Sequence, residues 1–260
     1  MVNLRSSKIS YRIWKVWRRN LDTFMKTWKV NFIPPFLEPV LYLLALGLGV
    51  GSFITQVDGV SYARFIGPAL IAIAVMNASF FECTYSSYVR MYYQKTFDAM
   101  IATPLSIEEV IAGELLWGAT RGLIYATIML PVLIIFGLID LPISILALPI
   151  SFLAGVMFAC IGMCFTAITP GIDALSYPSF LFITPMFLFS GTFFPLTLLP
   201  PTLQYLALIF LPLTHVVRPI RALTLNHLDN SILISIGWVL IVTTALFYLS
   251  LRLMKKRLIV

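Results

Sequence analysis

The stretch that decides the fold runs Phe81-Glu82-Cys83-Thr84-Tyr85, Arg90-Met91, Gln94-Lys95-Thr96-Phe97-Asp98-Ala99-Met100, Thr103-Pro104-Leu105, Glu108-Glu109, Gly113-Glu114, Trp117 and Arg121. It carries five of the chain's 11 carboxylates and three of its 18 Lys and Arg residues, between two long apolar runs. A polar connector between membrane helices must face water or another protein. The chain around it is 60% hydrophobic and 11% charged, with a mean hydropathy of +0.94. Ordinary soluble domains carry about 25% charged residues. This composition describes an all-α integral membrane protein.

Working outward, residues 1–29 read as an amphipathic interface helix. Ile13, Trp14, Trp17, Leu21, Phe24, Met25 and Trp28 recur on one side, and Lys8, Arg12, Lys15, Arg18, Arg19, Lys26 and Lys29 fill the other. Tryptophans opposite cations suit a helix lying in the membrane surface. Trp14, Trp17, Arg18 and Arg19 are its candidate contacts to a motor domain; a plain anchor helix has the same pattern. No cleavable signal peptide is expected, because the first long apolar run follows a basic segment without a small-residue cleavage pattern.

Residues 30–260 read as a six-helix transmembrane domain. Pro34-Pro35 is expected to break the chain before the first span, Phe36 to Ile54, with Glu38 either at headgroup level or paired with an inward-facing cation. Gln56 to Arg64 is a short polar loop, and Phe65 to Tyr85 the second span. The tyrosines at 85, 88, 92 and 93 suggest an aromatic belt. Residues 86–109 form a cytoplasmic loop. Spans three and four are Val110 to Leu138 and Ile143 to Ile168, the latter with Gly155, Ala159 and Gly162 as a close-contact face. Glu114 and Arg121 share a helix face two turns apart, too far to pair, so each needs another partner. The fifth span is Tyr177 to Phe194 and the sixth Ser231 to Leu251. Between them, residues 195–230 are apolar but broken by prolines into pieces too short to cross. They read as a re-entrant hairpin of Pro201–Phe210 and Thr214–Leu225. Eight cations precede the first span and four follow the last. The positive-inside rule then puts both termini in the cytoplasm.

Several chemistries are missing. No Gly-rich loop ends in Gly-Lys-Ser/Thr, so the chain is not expected to hydrolyse nucleotide. No metal-spaced His or Cys cluster and no Gly-x-Ser-x-Gly occur. Cys83, Cys160 and Cys164 read as small buried hydrophobes. The cations sit at the chain ends, which argues against nucleic acid. His215, Arg218 and Arg221 share a stripe of spacing three in the outer hairpin. They read either as a headgroup-facing or release site, or as ordinary snorkelling of Arg.

The six spans, the basic first helix, the charged loop and the proline-broken hairpin together resemble the permease subunit of a type-2 ABC exporter. Asp58-Gly59-Val60-Ser61-Tyr62, Phe81-Glu82, Arg90-Met91, Gln94, Thr96, Ala99-Met100, Thr103-Pro104-Leu105, Gly113-Glu114, Trp117, Phe189-Ser190-Gly191-Thr192-Phe193-Phe194-Pro195 and Leu211-Pro212-Leu213-Thr214-His215 look like its NodJ-like lipo-oligosaccharide and multidrug branch. The resemblance implies a homodimer in the bacterial inner membrane with two copies of a separate ABC ATPase. That partner holds ATP and magnesium, and this chain binds no cofactor. It implies a coupling helix near Thr96–Thr103. Phe97, Met100 and Ile101 would form an apolar knob for a partner groove, oriented by Lys95 and Asp98 and flanked by Glu108 and Glu109. It further implies a path along spans two and five, nominating Asn77, Phe80, Phe81, Phe182, Met186, Phe189 and Phe193, for a lipidic or glycolipid amphiphile. A multidrug exporter is the alternative within transport. A secondary transporter would carry more charge inside the spans than this sequence does, and a scaffold without transport would need neither hairpin nor coupling helix.

Overall fold

The computed structural model describes residues 10–54, 56–226 and 229–259, and they are almost wholly helical. Lys8 and the rest of residues 1–9 lie outside the described residues. Helix α1 spans Ile13–Lys26, and α2 spans Trp28–Tyr42 and continues through wider π turns at Leu43–Gly49 to Ser52. The break expected at Pro34-Pro35 is therefore absent, and the first apolar helix starts at Trp28. Membrane helices tolerate proline because neighbours and local π adjustments compensate the lost hydrogen bonds. The loop expected at 56–64 is a small hairpin, Gln56–Val57 paired with Val60–Ser61. Its turn residues Asp58 and Gly59 both have positive φ, as a tight two-residue turn demands.

Helix α3 spans Tyr62–Phe81 and runs on through π turns at Glu82–Ser86 and Val89–Tyr93, so the second span is longer than the hydropathy boundary at Tyr85. Helix α4 is Thr96–Ile101, α5 Ile107–Ile135 and α6 Ala147–Ile168. The cytoplasmic loop expected over 86–109 thus has its first and last parts inside α3 and α5. Helix α7, Asp173–Phe189, replaces the expected Tyr177–Phe194. It stops early because Ser190 and a positive-φ Gly191 turn the chain. Helices α8 (Pro201–Phe210) and α9 (Thr214–Thr224) meet at 93°, and α10 spans Ser231–Leu258.

Contacts at the two ends of the bundle decide which helices cross it. At one end Ser10 donates to Glu109, Lys255 pairs with Glu108, Tyr88 donates to the Pro170 carbonyl, and Arg257 donates to the carbonyls of Thr166, Ala167 and Thr169. At the opposite end Arg64 pairs with Asp140, the Asp140 amide donates to Thr224, and Arg221 donates to the carbonyls of Phe65, Gly191 and Thr192. Helices α2, α3, α5, α6 and α10, with their extensions, run between these ends and are long and apolar enough to span a membrane. Helix α7 is shorter, at about 25 Å, yet also connects them. Its start follows Pro170 at the first end and its last turn leads into Gly191 at the other. The pair α8–α9 begins and finishes at that second end, which makes it re-entrant. Six passes and one hairpin result.

Helix α3 lies at the centre of the bundle, buried over most of its length, while α2 and α10 are peripheral. Small residues let its neighbours close on it. A Cβ at Gly162 would meet the Phe80 carbonyl at 2.7 Å, and one at Gly155 would meet Ala119 at 3.1 Å. The small-residue face expected on α6 is therefore used. The main apolar core fills the space among α3, α5, α6, α7 and α9, and a second core near the first end surrounds Phe97, Tyr88 and Ile111. Tyr88 is fully buried there, and so departs from the expected aromatic belt.

Candidate functional site

The end bearing α1 and the chain's C-terminal cations concentrates charge inside the fold. Glu82 lies where α3 widens into π turns, a local change frequently found at functional sites. One Glu82 oxygen accepts from Arg90 at 2.7 Å and from the Trp117 indole at 3.0 Å. Its other oxygen is 3.5 Å from the Arg121 Nε. Glu114, wholly buried on α5, accepts from Arg90 at 2.6 and 3.0 Å, from Ser87 at 3.0 Å and from Asn20 of α1 at 2.8 Å. Arg90 therefore bridges two carboxylates. A buried carboxylate is tolerable only with this degree of pairing. The Asn20 amide oxygen in turn accepts from Arg19. Burial lowers the Arg19 pKa, with Glu114 opposing and Arg90 adding to the shift; an Arg stays charged regardless.

This network ties α1 to α3 and α5. Glu114 and Arg121, too distant to pair with each other, each find a partner as the spacing required. Glycine makes room for α1: a Cβ at Gly113 would meet the Val16 Cβ at 2.5 Å. Trp17 donates to Thr120 at 2.8 Å and stacks on Trp14 with ring centroids 4.0 Å apart. The two-faced helix expected from the sequence is in fact three-faced. Val16 and Asn20 are buried against α5, Trp14, Met25 and Trp28 are exposed, and Arg12, Lys15, Arg18 and Lys26 form a separate exposed strip.

Helix α4 departs from the expected knob. Phe97 is 0% exposed and Met100 9%, both set in the second core beside Val110 and Ile111, with Ile101 packed against it. The outward face is instead Lys95, Asp98, Ala99, Ala102 and Thr103. Apolar residues at spacing three and four mark a buried face as readily as a docking one, and here the protein's own helices offer the groove. Glu109 completes a capping box with Ser106 at the start of α5 and accepts from Ser10. Glu108 pairs with Lys255. Both flanking carboxylates thus hold α5 to its neighbours.

The residues nominated for a path divide. Phe80 and Met186 are fully buried in the protomer's main core. Asn77, Phe182 and Phe193 are half-buried, and Phe81 and Phe189 are exposed. In the hairpin, His215 stacks on Trp238 and its Nε2 meets the Leu208 carbonyl, while Arg218 is half-buried. Arg221 sits 3.8 Å over the Phe65 ring, and its hydrogen-bond partners among the described residues are all carbonyls. His215 and Arg221 therefore brace the fold instead of facing outward together. The sequence did not expose Asn20 and Ser87; a buried amide and hydroxyl leave no periodic mark. No group of three or more His, Cys, Asp or Glu capable of holding a metal occurs among the described residues.

The model of the ABC-2 type transporter family matches residues 11–225, and the chain belongs to that family of transporter membrane subunits. Among individual proteins, it is 33% identical over 244 residues to nodulation protein J of Sinorhizobium fredii, covering 94% of this chain and 93% of that one. It is 35% identical over 243 residues to nodulation protein J of Rhizobium leguminosarum bv. viciae, with 94% and 93% covered. It is 26% identical over 234 residues to the inner membrane transport permease YadH of Escherichia coli, with 90% of each covered.

Proposed function

We propose that this chain is the permease of an ATP-driven exporter that moves a lipidic or glycolipid amphiphile, of lipo-oligosaccharide type, outward across a bacterial inner membrane. Two copies of the chain pair with two copies of a separate ABC ATPase, which carries the ATP and magnesium. The end bearing α1, α4 and the C-terminal cations faces the cytoplasm, consistent with the distribution of Lys and Arg. The near full-length likeness to proteins named nodulation protein J supports the substrate class.

The observation that carries the coupling role is the setting of α4. It presents Lys95, Asp98 and Ala99 outward, while Phe97 and Met100 anchor it in a core shared with α3 and α5. A push on its polar face is transmitted through those anchors and through Arg90 to two spans at once. A homodimer would cover the apolar outer face of α7, where Phe180 and Leu181 are 71% and 75% exposed.

The test is co-expression with a candidate ABC ATPase subunit from the same bacterium, using Asp98→Arg combined with Ala99→Trp. These sites are outside the core, so the melting temperature should hold while ATPase co-purification and ATP-driven export of the lipo-oligosaccharide fall. Unchanged co-purification and export would remove α4 from the coupling role. Export of hydrophobic drugs without any glycolipid would favour the multidrug reading.

A further inference from the structure

Between α1, α3 and α5 lies a cavity of about 450 Å³ that the coupling network does not fill. Its charged lining is three guanidiniums, Arg19, Arg90 and Arg121, against one carboxylate, Glu82. The net of three minus one is +2. Arg90 is consumed by Glu82 and Glu114, but Arg121 is not. It has a single ion-pair contact, at 3.5 Å, and it donates no hydrogen bond among the described residues, although its side chain is only 16% exposed. Its remaining neighbours are the faces of Phe24 and Tyr125. An Arg has five donors in a planar fork. Its Nε is buried without a hydrogen-bond partner, which is costly unless something accepts from it, and the rest of the fork borders the cavity.

The cavity continues toward the bilayer. A second one of about 320 Å³ shares Glu82, Tyr85, Ser86 and Arg121 with the first and reaches Asn77, Phe81 and Glu38. Glu38 also borders a shallow, open apolar groove on the surface of α2, lined by Ile33, Leu37, Leu41, Tyr42 and Ala45 of that one helix. A basic chamber and an apolar strip thus lie on either side of Glu38, the polarity order of an amphiphile. Glu38 would repel an anion that moved past Arg121, which holds the charged group on the Arg19 side. The exposed cations Lys15, Arg18 and Lys26 of α1, and Lys29 in the first turn of α2, raise the local concentration of anionic lipid.

We propose that Arg121 and Arg19 form a binding site for the anionic headgroup of a phosphate-bearing lipid, whose acyl chain lies in the α2 groove. Guanidinium and phosphate match as bidentate partners, and basic pockets between transmembrane helices are suited to such headgroups. This deepens the transport reading by assigning an inner-leaflet amphiphile site within one protomer. It rests on that reading only for the side of the membrane.

The test uses the purified, delipidated chain, titrated with phosphatidylglycerol or with phosphatidylcholine of the same acyl chains and followed by native mass spectrometry. Phosphatidylglycerol should bind at least about tenfold more tightly. Arg121→Gln and, separately, Arg19→Gln should each erase that preference, and Arg121→Lys should restore part of it, with melting temperatures checked throughout. Inorganic phosphate serves as the tail-free probe and should compete only weakly, because the groove contributes to the lipid's affinity. Equal binding of the two lipids, wild-type preference in both Gln variants, or phosphate binding as tightly as the lipid would each overturn the proposal. So would efficient crosslinking between protomers of a cysteine at Leu37, which would give the groove to a second copy. No ATPase or export is involved, so the lipid site can fail while the exporter reading stands, and the reverse.

Discussion

The two ends of the bundle solve the same problem in different ways. Each brings charged side chains against the ends of several helices. At the end bearing α1, charge meets charge: Arg90 lies between Glu82 and Glu114 with hardly any exposure. At the opposite end, the Arg221 guanidinium is held by the carbonyls of Phe65, Gly191 and Thr192, and the ion pair found there among the described residues, Arg64–Asp140, is partly open to solvent. Carbonyls and an aromatic face satisfy the donors of a cation without a second buried charge. A carboxylate pair adds attraction but makes each member dependent on the others. One end is thus built as an interdependent joint, and the other as a set of static braces.

The sharpest way to break this comparison is Glu114→Ala. Removing Glu114 leaves Arg90 with Glu82 as its one remaining carboxylate and strips the buried Asn20 and Ser87 donors of their acceptor, at a cost of about 3–5 kcal/mol. The variant should lose most of its folded yield and a large part of its thermal stability in detergent. A change as small as that of an exposed pair would show that the joint is not buried in the membrane. Arg221→Met should cost less, about 1–3 kcal/mol, because it strands carbonyl acceptors and no charge. Differential scanning fluorimetry would check it, and a loss equal to that of Glu114→Ala would erase the distinction between the ends. Asp140→Asn should shift stability least, within about 1 kcal/mol, and the shift should shrink further in high salt. A large, salt-insensitive loss would mean that the Arg64–Asp140 pair is covered in the assembled protein.

Much of this fold was legible in the chain. Long apolar runs gave all six passes, to within a few residues at most ends, and the proline spacing of residues 195–230 announced the hairpin. Misplaced boundaries have local causes. The helix through Pro34-Pro35 persists because a membrane neighbourhood tolerates proline, and α7 ends early because Gly191 turns the chain with positive φ. The spacing of Glu114 and Arg121 correctly required separate partners, but no periodicity could say that Glu82 would serve Arg121 or that Asn20 would reach Glu114. The Phe97–Met100 pattern was real. Its direction was open, because an apolar stripe fits a groove of its own protein as well as a partner's.

What the sequence determined by itself is what depends on short range and on solvent. Hydropathy selected the membrane and its crossings, cation placement distinguished the two ends, and Gly and Pro marked the turns. What only the tertiary structure decided is which side chains meet. Arg90 could bridge Glu82 and Glu114 only once α3, widened by its π turns, lay beside α5. Arg121 could be left with unused donors only once every nearby carboxylate was engaged elsewhere or held at a distance. Pairing energies fall off over a few ångströms while Asn20 and Glu114 are 94 residues apart in sequence, so the joint and its open chamber exist only in three dimensions.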